Sequence, residues 1–167
     1  MLRVGCDTIK RIMREKPLIL VADDDKDYRE AVALKFKNAG FDTVIARDGN
    51  EARQKAKETK PDFAILDINM PPGPNGIEVA LELKESPETS NSRVIFLSGL
   101  EDPWPAFKGS KQEVSKELGM EDFFVKTKDL TDLVTRVQAI VREGAPPPPS
   151  PSAPPLPPSP SSPPPAP

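Results

Sequence analysis

Carboxylates follow the ends of two apolar segments in this chain. Asp23, Asp24 and Asp25 come directly after the apolar run Leu18–Ala22, and Asp67 ends a second apolar run. Carboxylates a few ångströms apart repel one another unless a counter-charge lies nearby. If the fold brings these groups together, either some of them hold a proton or a cation joins them. Oxygen ligands in a water-accessible cleft suit Mg²⁺.

Residues suited to binding a phosphate follow two later apolar runs. Ser98 and Gly99 come after one of them, and Lys126 comes after the other. A hydroxyl group can donate to a phosphate oxygen, and a glycine allows close approach of the backbone. Mg²⁺ and a lysine neutralise the charge of a transferring phosphoryl group, while an aspartate can attack phosphorus. The residue types therefore suit phosphoryl transfer.

Composition excludes several other kinds of chemistry. The chain has 167 residues, no histidine, one cysteine and a net charge of −3. Without histidine there is no Ser-His or Cys-His nucleophile pair, and the commonest zinc ligand is missing. A single cysteine fits a reducing compartment. Because there is no clustered basic excess and no apolar segment of membrane-spanning length, we expect a cytoplasmic protein with no membrane anchor and no DNA-binding domain.

Strand-like and helix-like segments alternate between residues 17 and 143. The predicted strands are Leu18–Ala22, Thr43–Ala46, Phe63–Leu66, Val94–Leu97 and Phe123–Val125. The predicted helices are Lys26–Ala39, which stops at Gly40, then Asn50–Glu58, Gly76–Glu85, Lys111–Leu118 and a last helix over 130–141, which Asp129 caps. This alternation predicts an α/β fold with helices on both faces of a parallel sheet.

Right-handed crossovers leave few topologies for such a chain. We expect the flavodoxin-like, doubly wound (βα)5 architecture with strand order 2-1-3-4-5. Ligands of such sheets bind beyond the carboxyl ends of the strands, at the switch point between strands 1 and 3. Asp23, Asp24 and Asp67 would converge there, and Lys126 would arrive from strand 5.

Composition divides the chain into three parts. Residues 1–16 form an N-terminal leader whose scattered charges interrupt any signal-peptide core. Residues 17–143 form the folded domain. Residues 144–167 are proline-rich and uncharged, so we expect a disordered tail that samples polyproline II. The tail is either a solvated spacer or a ligand for an aromatic groove.

Four segments together resemble the receiver domains of response regulators in two-component signal transduction. They are LILVADDDKDYRE at 18–30, FAILDINMP at 63–71, VIFLSG at 94–99 and DFFVK at 122–126. The resemblance covers about residues 17–142 and implies a receiver of the single-domain type.

The resemblance implies a role for each matching residue. Asp67 would accept a phosphoryl group from a histidine kinase or a histidine phosphotransfer protein. Asp23, Asp24, Asp67 and the backbone carbonyl of Asn69 would hold Mg²⁺. The protein would be a signalling switch and not an enzyme in the usual sense, although it would catalyse its own phosphoryl transfer and autodephosphorylation.

The remaining residues would bind the phosphoryl group and report on it. Ser98, Gly99 and Lys126 would contact its oxygens, and Phe123 would be the switch aromatic of the fifth strand. A downstream partner would bind the face formed by the fourth helix, the fifth strand and the fifth helix.

Three features depart from the family pattern. Thr127 stands where receivers have a proline, and the loop 70–76 and the segment 98–126, which contains Trp104, are longer than usual. These features leave open a phosphorylation-independent adaptor on a receiver scaffold, with the polyproline tail as its binding element. A third hypothesis is a Mg²⁺ phosphatase that uses Asp23 and Asp25 as its aspartate pair.

Overall fold

Residues 15–99, 119–127 and 129–143 are described by a computed structural model of the chain. The described strands are β1 (Leu18–Ala22), β2 (Asp42–Ala46), β3 (Phe63–Asp67), β4 (Arg93–Ser98) and β5 (Asp122–Val125). The described helices are α1 (Lys26–Asn38), α2 (Gly49–Thr59), α3 (Gly76–Glu85) and α4 (Thr131–Glu143). The predicted helix 111–118, Trp104, residues 1–14 of the leader and the proline-rich tail lie outside the described residues.

The five strands form one parallel sheet in the order β2-β1-β3-β4-β5. This order confirms the predicted flavodoxin-like fold. β1 lies between β2 and β3, so it is buried on both faces, which explains its uninterrupted apolar sequence. None of the four described helices combines the length and the apolar character that a membrane-spanning helix requires.

Helices cover both faces of the sheet. Successive side chains of a strand point to opposite faces, so Ile19 packs with α1 and α4, while Leu20 packs with α2 and α3. Both residues are fully buried. Complete burial of a side chain of this size stabilises the fold by about 1.5–3 kcal/mol. The two cores hold the sheet rigid, and with it the residues at the carboxyl ends of the strands.

Capping residues and glycine set the helix boundaries. Asp25 caps α1, and Asn75 forms a capping box with Glu78 at the start of α3. Gly40 follows α1 with φ at +94°, a conformation that glycine adopts without strain, so the predicted stop is confirmed. At the start of α4, the amide of Thr131 donates to the carboxylate of Asp129 over 2.9 Å.

Two strands extend further than predicted at their carboxyl ends. β3 includes Asp67, which pairs with Leu97, and β4 includes Ser98, which pairs with Val125. The parallel ladder therefore continues through the polar residues. Asp67 and Ser98 are fixed by the sheet itself and not by a loop.

Candidate functional site

Three carboxylates meet at the carboxyl edge of the sheet. Ala22 of β1 pairs with Leu66 of β3, so the next residues, Asp23 and Asp67, emerge side by side. Carboxylate oxygens of Asp23, Asp24 and Asp67 all lie within 4.8 Å of one another. Asp23 and Asp67 are 1% and 4% exposed, whereas Asp24 is open to solvent. The structure therefore brings together the acidic residues that the sequence placed at this edge.

Lys126 joins two of these carboxylates. Its Nζ lies 2.7 Å from Oδ2 of Asp23 and donates a 3.0 Å hydrogen bond to Oδ2 of Asp67. Its backbone amide donates to the carbonyl of Ser98 over 2.8 Å, which fixes the residue beyond the end of β5. The side chain of Lys126 is only 19% exposed, so its charge is poorly screened by water.

Burial dominates the electrostatics of the pocket. It raises the pKa of Asp23 against the opposing effect of Lys126. Burial also raises the pKa of Asp67, which Lys126 opposes and the charge of Asp23 reinforces. Burial would lower the pKa of Lys126, but its contacts with Asp23 and Asp67 outweigh burial and raise it. The two buried carboxylates thus share one ammonium group, and the pocket is short of positive charge.

Asp23 has an oxygen that suits a further cation. Its Oδ1 accepts a 2.9 Å hydrogen bond from the amide of Asp25. Its Oδ2 is buried, and among the described donors only the ammonium group of Lys126 approaches it, at 2.7 Å, which leaves a second lone pair open. A buried carboxylate oxygen with an open lone pair beside two more carboxylates fits a hard divalent ion such as Mg²⁺.

Other residues predicted for the site surround this pocket. The backbone amide of Asn69, two residues beyond Asp67, lowers the pKa of the Asp67 carboxyl, although burial outweighs this effect. Ser98 is buried at the end of β4. A Cβ atom added at Gly99 would lie 3.8 Å from Cδ of Lys126, which is an ordinary contact. Packing against the described residues therefore does not require glycine at position 99.

Phe123 is part of the hydrophobic core in this structure. It is 6% exposed, pairs with Phe96 across the sheet and packs in the core on the α2 and α3 face. Its ring thus lies inside the protein, two residues before the end of β5.

Asp25 has a local structural role. Its carboxylate accepts a 3.1 Å hydrogen bond from the amide of Tyr28 and caps α1. The acidic cluster found among the described residues contains Asp24 and not Asp25. The Asp23 and Asp25 pair required by the phosphatase hypothesis is therefore not formed.

Two residues of the first turn of α1 contact the site although sequence patterns did not single them out. The hydroxyl of Tyr28 donates to the carbonyl of Thr127 over 3.3 Å, and its ring lies beneath Nζ of Lys126, 5.2 Å from the centroid. The buried Arg29 donates from Nη1 to the carbonyl of Asp23 over 2.6 Å. In the sequence, both residues follow the aspartate run closely, which could have indicated a role in the site. Their spacing is also that of an ordinary amphipathic helix, so the sequence alone did not distinguish the two.

Gly76 is a third residue that sequence patterns did not assign to the site. A Cβ atom there would overlap the carbonyl oxygen of Asp67. Its amide donates to the carbonyl of Ile68 over 2.9 Å. Glycine therefore lets the start of α3 approach the backbone of Asp67 directly.

Two of the departures from the family pattern, Thr127 and the long loop 70–76, fall on described residues. The peptide bond between Lys126 and Thr127 is trans, and the cis bond found among the described residues lies between Pro71 and Pro72, in the long loop. The extra residues between Ser98 and Lys126 lie outside the described residues.

Known proteins match the chain over the folded domain. Residues 19–138 match the response regulator receiver domain family. The receiver domain of the Francisella response regulator 1452 superposes with a TM-score of 0.65 and 28% identity, over 78% of this chain and 100% of that one. Over 130 residues, the chain is 33% identical to the DNA-binding response regulator MtrA of Mycobacterium tuberculosis. Over 126 residues, it is 35% identical to the transcriptional regulatory protein PrrA of Mycobacterium leprae.

These relatives contradict one expectation. The matches cover 78% and 75% of this chain but only 52% of MtrA and 50% of PrrA, so the chain spans about half the length of either protein. The expectation of a protein without a DNA-binding domain is wrong, because one relative is named as DNA-binding and the other as a transcriptional regulator, and the matched half is the receiver part alone. The family match and the fold agree, and the chain belongs to the response regulator receiver domain family.

Proposed function

We propose that the chain is a phospho-acceptor switch of two-component signalling in which Asp67 receives the phosphoryl group. The single observation that carries this proposal is the buried carboxylate of Asp67, which is bonded to Lys126 and clustered with Asp23 and Asp24. The donor would be a phosphohistidine of a partner histidine kinase or histidine phosphotransfer protein. The absence of histidine from the chain fits a donor imidazole in another protein.

Mg²⁺ would be held by the carboxylates of Asp23, Asp24 and Asp67 and by the backbone carbonyl of Asn69. The buried Oδ2 atom of Asp23, which is approached by Lys126 alone among the described donors, supports this assignment. When bound, Mg²⁺ would supply positive charge to the oxygens of the transferring phosphoryl group.

In the transfer step, a carboxylate oxygen of Asp67 attacks phosphorus. A P–O bond forms to Asp67 as the P–N bond to the donor histidine breaks, and the electron pair of that bond stays on the imidazole nitrogen. Lys126 and Ser98 would bind the phosphoryl oxygens, since both lie at neighbouring strand ends. Lys126 also favours the ionised form of Asp67 and so opposes the burial that raises the pKa of this carboxyl.

Phosphorylation would change the contacts of Lys126. A phosphoryl group adds about −1.5 to −2 charge and new acceptor oxygens. These oxygens would compete with Asp23 and Asp67 for the ammonium group. We expect the ends of β4 and β5, with Ser98 and Phe123, to change their packing and thereby to alter the binding of a protein partner.

The buried pocket favours this function over a phosphorylation-independent adaptor. Burial of two carboxylates costs free energy that an adaptor would have no reason to retain. The tail on which the adaptor hypothesis depends lies outside the described residues.

The test is labelling of the full chain by phosphoramidate with Mg²⁺, followed by intact mass. Wild type should gain one phosphoryl group, and Asp67→Asn should gain none. Asp42→Asn is the matched control, because Asp42 is an exposed aspartate at the amino end of β2. Equal labelling of Asp67→Asn and wild type would reject the proposal.

A further inference from the structure

Tyr28 is held firmly in the first turn of α1. Its amide donates to the capping carboxylate of Asp25, and its half-buried ring packs against the core on the α1 and α4 face. The helix and the core therefore fix the position of this ring independently of the acidic pocket.

From this position Tyr28 contacts two consecutive residues beyond β5. Its hydroxyl donates to the carbonyl of Thr127 over 3.3 Å, although 99 positions separate the two residues. Its ring centroid lies 5.2 Å from Nζ of Lys126. A cation at this distance from an aromatic face is attracted by the ring, and more strongly where water is partly excluded.

Lys126 gains from such support, because its fixed backbone does not by itself fix an ammonium group at the end of a long side chain. The residue lies beyond the last residue of β5, Val125, and carries a flexible four-carbon stem. Yet Nζ must stay 2.7 Å from Asp23 and 3.0 Å from Asp67. The Tyr28 ring is a third electron-rich group in reach of the same ammonium group, and its hydroxyl restrains the backbone that carries the stem.

We infer that Tyr28 is a positioning residue for phosphoryl transfer, which holds Lys126 between Asp23 and Asp67 through its ring and through the carbonyl of Thr127. The inference rests on the proposed function, because transfer to Asp67 is the reaction that Lys126 would serve. Tyr28 itself does not touch the phosphoryl group.

A double-mutant cycle separates this role from a purely structural one. The rate of labelling by phosphoramidate with Mg²⁺ is measured for wild type, Tyr28→Leu, Lys126→Met and the double variant. Tyr28→Leu should transfer about tenfold more slowly than wild type, which corresponds to about 1.4 kcal/mol of transition-state stabilisation. In the Lys126→Met background, Tyr28→Leu should change the rate by less than about twofold.

Two further variants refine the cycle. Tyr28→Phe keeps the ring and loses only the hydroxyl, so it should slow transfer by about threefold. Val137→Ala is the stability control, because Val137 is fully buried in the same core and belongs to α4, away from the pocket. It should lower the unfolding temperature and leave the transfer rate of the folded protein unchanged.

The outcomes are distinct. The inference would be overturned if Tyr28→Leu slowed transfer equally in both backgrounds, or if it did not slow transfer in the wild-type background. In either case, labelling of Asp67 in wild type would leave the proposed function intact. Wild type that takes up no phosphoryl group would instead reject the proposed function. If transfer to Lys126→Met is too slow to measure, the dissociation constant of beryllofluoride in the presence of Mg²⁺ is measured for the same four proteins instead.

A spectroscopic readout does not depend on transfer. Tyr28 is the only tyrosine of the chain, so labelling with 3-fluorotyrosine gives a single ¹⁹F resonance. This resonance should shift more in Lys126→Met than in Val137→Ala, which changes the core beneath Tyr28 but leaves its contact with the ammonium group. An unchanged resonance in Lys126→Met would contradict the contact between the ring and the ammonium group.

Discussion

Nζ of Lys126 lies 3.0 Å from Oδ2 of Asp67, although 59 positions separate the two residues in the sequence. The contact forms because β4 lies between β3 and β5, and the long lysine stem reaches across the end of β4. The same ammonium group lies 2.7 Å from Asp23. Two buried carboxylates therefore depend on one counter-charge.

Mg²⁺ should stabilise the folded chain. An ion that binds only the folded state raises the free energy of unfolding by about 2.7 kcal/mol at one hundred times its dissociation constant. Urea unfolding with Mg²⁺ and with a chelator measures this difference. Asp24→Asn should reduce the gain, because Asp24 is the exposed member of the acidic cluster. A gain of the same size in Asp24→Asn and wild type would contradict the proposed ligand set.

Asp67→Asn should be more stable than wild type when Mg²⁺ is absent. The substitution leaves Asp23 and Lys126 as a balanced ion pair and removes one carboxylate from the cluster. We expect a gain on the order of 1 kcal/mol, because removal of one carboxylate relieves repulsion between like charges a few ångströms apart. Urea unfolding in chelator measures it, with Asp42→Asn as the surface control. A loss of stability in Asp67→Asn would mean that Lys126 fully compensates both carboxylates.

Gly76→Ala should destabilise the fold, because its Cβ atom would overlap the carbonyl of Asp67. The start of α3 must then move away from β3, at a cost of about 1–3 kcal/mol. Gly99→Ala is the matched control, since among the described residues a Cβ atom at Gly99 makes an ordinary contact with Lys126 and no closer one. Its unfolding free energy should change by less than about 0.5 kcal/mol. Similar free energies of unfolding for the two variants would show that there is room for a Cβ atom between Gly76 and the carbonyl of Asp67.

The single tyrosine should titrate above its ordinary value. Burial raises the pKa of Tyr28 above 10.0, with the charges of Asp23 and Asp67 adding to burial and Lys126 opposing it. The folded state then retains a proton that the unfolded state loses, so wild type should lose stability relative to Tyr28→Phe as the pH rises above 10.0. Ultraviolet absorbance of tyrosinate follows the titration, with the urea-unfolded chain as reference. Titration below the unfolded reference would contradict the burial of Tyr28.

Most of the fold could be predicted from apolar periodicity. Runs such as Leu18–Ala22 have no polar face, which is typical of parallel strands covered by helices on both sides. The boundaries were less predictable, because a polar residue at the end of a strand looks like the start of a loop. Asp67 and Ser98 belong to β3 and β4 since the ladder continues through them, and only strand pairing reveals this.

The acidic cluster could be predicted because parallel strands present their carboxyl ends at one edge of the sheet. Contacts between a helix and a distant loop could not. Tyr28 fits the apolar spacing of α1 equally well as a core residue, and its bond to Thr127 depends on how α1 packs beside the end of β5. Asp25 has the same chemistry as Asp24, yet its backbone position makes it the cap of α1 and not a member of the cluster.

Amide NMR with Mg²⁺ and beryllofluoride, a mimic of the phosphoryl group, tests the central claim most directly. We predict chemical-shift changes that begin at Asp67 and Asp23 and extend through Ser98 and Lys126 to Phe123 of β5. Asp67→Asn should show none of these changes when beryllofluoride is added. Changes that are absent around Asp67 in wild type, or that persist in Asp67→Asn, would contradict the assignment of Asp67 as the phosphoryl acceptor.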